Sequence, residues 1–159
     1  MASGSSSSSC NYDVFLSFRG KDTRYGFTGN LYNALNSKGI HTFIDDEELQ
    51  RGKEITPALT KAIQGSRVTI TVLSQLYASS SFCLDELATI LHCHQRKQLL
   101  AIPIFYKVDP SDVRHQKGSY GDALAKHETR FRDDPEKLQK WKMALQQVAD
   151  LSGYHFKEG

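Results

Sequence analysis

Cysteine is scarce and scattered in this chain. Cys10, Cys83 and Cys93 form an odd set with no CxxC pair, which excludes the disulfide framework of a small secreted domain and fits a reducing, intracellular compartment. Apolar runs are short, and none approaches the roughly 20 residues that a membrane-crossing helix needs. The opening MASGSSSSSC lacks the charged start and apolar stretch of a signal peptide, and Ala2 stands where N-myristoylation requires glycine, so residues 1–10 are expected to be a disordered leader. Charge of one sign is also missing. Twenty Lys plus Arg against 18 Asp plus Glu leave +2 with no basic block, so nothing in the charge demands a nucleic-acid surface. Gly20-Lys21-Asp22 lacks the upstream glycine and the following Ser/Thr of a Walker A loop, and neither GxGxxG nor GxSxG occurs. No repeat has a solenoid period.

What is present reads as alternating strands and helices. With 159 residues and 39% hydrophobic composition, the chain fits one domain with a real core. Apolar stretches at 12–18, 40–45, 67–74 and 99–108 read as strands too apolar for a one-sided sheet. Between and after them run helical stripes: Phe27, Leu31, Ala34 and Leu35, closed by Lys38-Gly39; Ile55, Leu59, Ala62 and Ile63; Tyr120, Leu124, His127 and Phe131; and Leu138, Trp141, Leu145 and Val148. This pattern predicts an α/β, flavodoxin-like three-layer fold, with a parallel sheet in the order 2-1-3-4-5 and helices on both faces. The fifth strand is not legible; the segment between His127 and Leu138 is strongly charged, so any fifth strand is expected to be short or to sit at an irregular edge.

Ligands of open parallel sheets gather at the carboxyl ends of the strands, which puts the loops after Arg19, Asp45, Ser74 and Lys107 in view. RGKDTR carries three bases and one acid, DDEELQRGKE five acids and two bases, and SQLYASSSF is rich in hydroxyls. Together they suit a polar, anionic small molecule, with Arg19 and nearby amides receiving phosphate. Asp45-Asp46 resembles a phospho-acceptor pair, but receivers place the acceptor after the third strand, where this chain has Ser74. His92, Cys93 and His94 diverge around a helix and do not converge on one ion, so no metal is expected. Trp141 reads as core.

SSSFCLDELATI, residues 79–90, is the most informative segment. Leu84, Leu87, Ala88 and Leu91 supply the buried stripe of its helix without Glu86. A carboxylate one turn from Phe82 and Cys83 is placed for acid/base or cation-stabilising work, although most helix glutamates are simply solvated. Cys83, near the helix start, reads either as a thiolate nucleophile or as a small packed residue, more often the latter.

YDVFLSFRGKDTR (12–24), TFIDDEELQRGKEI (42–55), SQLYASSSFCLDEL (74–87), IPIFYKVDPSDVRHQKGSYG (102–121) and KWKMALQQVADLSG (140–153) together resemble the Toll/interleukin-1 receptor (TIR) domain of plant intracellular immune receptors, over residues 11–153, with 154–159 left as a tail or the start of a linker. The resemblance implies hydrolysis of NAD+ or NADP+ at the nicotinamide–ribose bond, with Glu86 of the CLDEL motif as catalytic residue and the dinucleotide as substrate rather than cofactor. It implies that Arg19, Gly20, Phe82, Cys83 and Asp45 bind substrate, with Phe82 offering a stacking surface in place of the commoner tryptophan. It also implies self-association: the loop from Asp45 to Ile55, with Glu48, Arg51, Gly52 and Lys53, meets a neighbour, and a second surface uses the first and last helices. On that surface Gly29-Asn30 replaces the Ser-His pair of many members, which is expected to weaken or retune it. A non-catalytic module that gathers partner TIR domains is the alternative. Nucleic-acid-dependent cyclic nucleotide synthesis drawing on Cys83 is a third reading, without support from charge. The implied setting is plant defence and cell death, in the cytoplasm with the nucleus as a further location.

Overall fold

Apolar strands with helices between them assemble into five parallel strands in the order β2-β1-β3-β4-β5. The computed structural model describes residues 12–23, 26–44 and 56–156. In chain order the elements are β1 (Tyr12–Ser17), α1 (Gly20–Thr23), α2 (Phe27–Ser37), β2 (Thr42–Ile44), α3 (Pro57–Gln64), β3 (Ser66–Leu73), a 3-10 turn (Tyr77–Ser79), α4 (Ser81–Gln95), β4 (Leu100–Tyr106), α5 (Pro110–His115), α6 (Gly118–Arg130), α7 (Pro135–Ala149) and β5 (Tyr154–Phe156). Helix starts follow local chemistry. α3, α5 and α7 each open with a cap and a proline: Thr56-Pro57, Asp109-Pro110 and Asp134-Pro135, the cap oxygen accepting from a backbone N–H and the proline supplying a ready φ. Gly39, at φ +79, turns the chain out of α2.

Strand alternation sorts the core into two halves. Phe15 of β1 lies opposite Thr69 of β3, and Leu16 opposite Ile70. Phe15, Leu73, Ala101 and Phe105 pack with the buried stripes of α3, α4, α6 and α7. Val14, Leu16 and Val72 face the other way, toward Phe27, Leu31 and Leu35 of α2. Among the described residues, α2 is the one long helix on that second face. Beside it, Phe27, Asn30, Leu31, Ile70, Ile102, Ile104, Tyr154 and Phe156 line an apolar groove of about 430 Å³.

Ser17 shares the Phe15 side, because residues two apart in a strand point the same way. That parity aims its hydroxyl at the α4 side of the sheet, at the carboxyl end of β1.

Two expectations need correcting. The fifth strand, Tyr154–Phe156, is short and at the sheet edge as expected, paired with Ile104–Tyr106 of β4, but it lies in the segment read as tail, and the charged chain between His127 and Leu138 is the end of α6, a turn and the start of α7. RGKDTR, read as a loop, contains the single-turn helix α1. Pro103 accounts for the lateness of β5. It has no N–H to pair, and a Cβ at Gly153 would lie 2.7 Å and 2.9 Å from its ring carbons, so the proline ring faces the β5 side and pairing begins one residue later, at Tyr154.

Candidate functional site

α4 begins at a capped end. Ser80 is extended, and its Oγ accepts from the Cys83 amide at 3.1 Å. The turn before it is pinned from three directions. The Tyr77 hydroxyl donates to the Cys83 carbonyl at 3.1 Å, the Tyr120 hydroxyl of α6 donates to the Ser74 carbonyl at 2.7 Å, and His127 Nε2 lies 2.9 Å from the Ala78 carbonyl. A carbonyl only accepts, so Nε2 carries the proton. Burial pushes the His127 pKa below its ordinary value, which keeps the ring neutral at pH 7. On the far side of α4, Trp141 Nε1 donates to Asp85 at 2.9 Å.

Inside this clamp lies Glu86, only 2% exposed. Ser17 Oγ donates to its Oε1 at 2.7 Å and lies 2.7 Å from the Tyr77 hydroxyl. Burial raises the Tyr77 pKa well above its usual value, with the nearby Cys83 and Glu86 adding to the shift, so the phenol stays protonated. Cys83 is fully buried, and its Sγ lies 3.5 Å from the Phe18 carbonyl just past β1. The arrangement is a carboxylate sunk at the carboxyl end of a parallel sheet and held by hydroxyls. It can accept a proton or offset a developing positive charge.

The TIR domain profile matches residues 11–159. The chain belongs to the TIR domain family. Similar proteins include TMV resistance protein N of Nicotiana glutinosa, 53% identical over 96% of this chain and 13% of its own length. Disease resistance protein RPV1 of Vitis rotundifolia is 52% identical over 91% of this chain and 10% of its own length. The chain thus spans a small fraction of these relatives. A solved structure, the TIR domains of the activated Roq1 resistosome recognising the effector XopQ, superposes with a TM-score of 0.85 at 52% identity, covering 91% of this chain and 87% of that one.

In this TIR domain the residues expected to act together are only partly gathered. Arg19 and Gly20 follow Ser17 with Phe18 between, and the Phe18 carbonyl ties that segment to Cys83, one turn from Glu86. The solvated reading of Glu86 is overturned, because β1 and the 3-10 turn close over the side of α4 opposite its leucine stripe. Phe82 is also buried and belongs to the core, so it offers no open face for stacking. Gly29 and Asn30 sit on α2, and Asn30 lines the groove on the other face of the sheet, away from Glu86. Asp45, Glu48, Arg51, Gly52 and Lys53, like the leader, lie outside the described residues. Trp141 is core, 1% exposed. Among the described residues no three His, Cys, Asp or Glu side chains group as metal ligands.

Sequence reasoning missed Ser17, Tyr77, Tyr120 and His127 as parts of the site. The one available signal was position: Ser17 directly follows the apolar run Val14–Leu16 of β1, at the end where parallel sheets build their sites.

Proposed function

We propose that this TIR domain is an immune-signalling NAD+ nucleosidase that uses Glu86 to cleave the nicotinamide–ribose bond of NAD+ or NADP+. The observation that carries the reading is a carboxylate buried at the carboxyl end of β1, with the Ser17 hydroxyl donating to its Oε1. In the reaction the glycosidic C–N bond breaks with its electron pair leaving on the nicotinamide nitrogen, which becomes neutral. The ribose carbon becomes an oxocarbenium-like centre, stabilised by the Glu86 carboxylate. Water then gives an electron pair to that carbon, and its proton passes to Glu86 and on to solvent, leaving nicotinamide with ADP-ribose from NAD+ or ADP-ribose 2′-phosphate from NADP+. Arg19 and Gly20 hold the pyrophosphate or ribose, and Asp45 and Cys83 lie at the edges of the substrate.

A carboxylate closed to solvent in the single chain calls for an opening event, and self-association supplies it. The segment with Glu48, Arg51, Gly52 and Lys53 meets a neighbouring TIR domain, and Gly29-Asn30 tunes the second contact. The Roq1 relative, solved as an assembly, supports this. The protein acts in the cytoplasm, with the nucleus as a second location, upstream of defence and cell death.

The non-catalytic scaffold is a second reading, favoured by the same closure of Glu86. Nicotinamide release from NAD+ and NADP+, measured at rising protein concentration with a crowding agent, separates the two. Release should rise faster than linearly, and Glu86→Ala should lower kcat by about a hundred- to a thousandfold. A folded Glu86→Ala protein with full turnover ends the hydrolase reading, and no release from oligomeric wild-type protein favours the scaffold.

A further inference from the structure

We propose that Ser17 and Tyr77 form a reversible hydroxyl relay that holds Glu86 in one position in both of its protonation states. The proposal rests on the hydrolase reading for its consequence and on geometry for its existence. Three contacts run in series: Glu86 Oε1 to Ser17 Oγ at 2.7 Å, Ser17 Oγ to Tyr77 Oη at 2.7 Å, and Tyr77 Oη to the Cys83 carbonyl at 3.1 Å. All four residues are buried.

Counting protons shows what the series can do. With Glu86 ionised, two hydroxyl protons serve three contacts. Ser17 donates to the carboxylate, and the Tyr77 proton is shared between Ser17 and the Cys83 carbonyl. With Glu86 protonated, three protons serve three contacts: Glu86 donates to Ser17, Ser17 to Tyr77, and Tyr77 to the carbonyl. The direction reverses by hydroxyl rotation alone, and no heavy atom moves. A catalytic carboxylate that takes a proton from water in each turnover keeps its place through the cycle. The carbonyl at the far end belongs to Cys83, one turn before Glu86 on the same helix, so the relay closes on α4 and fixes the side chain relative to its own backbone. Ser17 and Tyr77 are positioning residues, since they act through Glu86.

Among the described residues, the ionisable groups of the elements around the relay include Arg19, two residues past Ser17, and His127, at the Ala78 carbonyl beside Tyr77. Tyr77 and Cys83 adjoin Glu86, with Tyr120 of α6 behind Tyr77. On α7, Lys137 and Lys140 line a groove with Asp85 and Thr89 on the outer side of α4. α3 brings the exposed Lys61. On β1, Asp13 is engaged with the His41 amide at the opposite end of the strand, and Tyr106 of β4 packs on the other sheet face.

The test uses Ser17→Ala and Tyr77→Phe, which delete hydroxyls with little change of shape. Ser17→Ala should lower kcat roughly ten- to a hundredfold while KM stays within about twofold, as expected when a reacting group loses its orientation. Tyr77→Phe should act in the same sense but less, and in a Glu86→Gln background neither change should alter the residual rate. The Glu86 carboxyl carbon, followed by NMR and assigned with Glu86→Gln, should titrate higher in Ser17→Ala, because a charge-assisted donor to the carboxylate is gone. An unchanged Glu86 titration in Ser17→Ala overturns the relay whether or not the protein turns over NAD+. So does a loss of kcat/KM carried by KM alone. Equal nicotinamide release from wild type and Glu86→Gln overturns the hydrolase reading instead, and the titration still decides the relay.

Discussion

Gly153→Ala should detach the edge of the sheet. A Cβ at this position would sit 2.1 Å from the Pro103 carbonyl oxygen and 2.7 Å from its ring, well inside contact distance, and with backbone rather than a flexible side-chain tip as the nearest atom. Relief therefore needs β4 or β5 to move by more than an ångström. β4 is anchored against β3 over six register pairs, from Val68–Leu100 to Leu73–Phe105. β5 is three residues long, paired on one side only, and all three residues are exposed, so β5 yields. Overpacking of this kind costs about 1–3 kcal/mol, and the alternative is bounded by the few ladder hydrogen bonds of β5, each worth about 1 kcal/mol net. A loss of about 2–3 kcal/mol follows by either route, which for a domain of this size lowers Tm by roughly 4–12 °C. Hydrogen exchange gives the sharper view: the amides of Tyr154–Phe156, and the Lys107 amide bonded to the Phe156 carbonyl, should lose protection while β1 and β3 keep theirs. Unchanged protection at Tyr154–Phe156 would refute the reasoning.

Thr69→Val should stabilise the fold by about 1 kcal/mol, since the buried Thr69 hydroxyl has no hydrogen-bond partner and valine keeps its shape; a lower midpoint in urea would contradict this. The His127 contribution should depend on pH. Its folded pKa lies below its ordinary 6.5, so its stabilising effect is complete above about 6.5 and is lost as pH falls through the depressed folded value, because the unfolded chain takes up the proton first. Melting curves of wild type and His127→Gln across that window should diverge toward acid, the wild type falling more steeply, and parallel slopes would refute the assignment.

Most of the sheet was legible because buried parallel strands are rich in apolar and β-branched residues, as β1, β3 and β4 are over six to eight residues. β5 was not, since Tyr-His-Phe at an exposed edge has neither a run nor an alternation to read. α5 lacks a stripe for want of length, and only its Asp109-Pro110 cap announces it. Glu86 was found as a residue but misjudged as a neighbour. Helical spacing describes one face, and nothing local reports that β1 and the Tyr77 turn cover the opposite one. The Ser17–Glu86 contact spans 69 residues of chain, and such a pair has no signature in either segment alone.

The pinned turn before α4 also sets a time at which the site can exist. Tyr120 and His127 reach back 46 and 49 residues to hold the Ser74 and Ala78 carbonyls. On a ribosome the strands from β1 to β4 emerge first and can begin to pair, but the turn that carries Tyr77 and aims α4 lacks its Tyr120 and His127 anchors until α6 has been made. Glu86 is therefore synthesised before the residues that complete its placement.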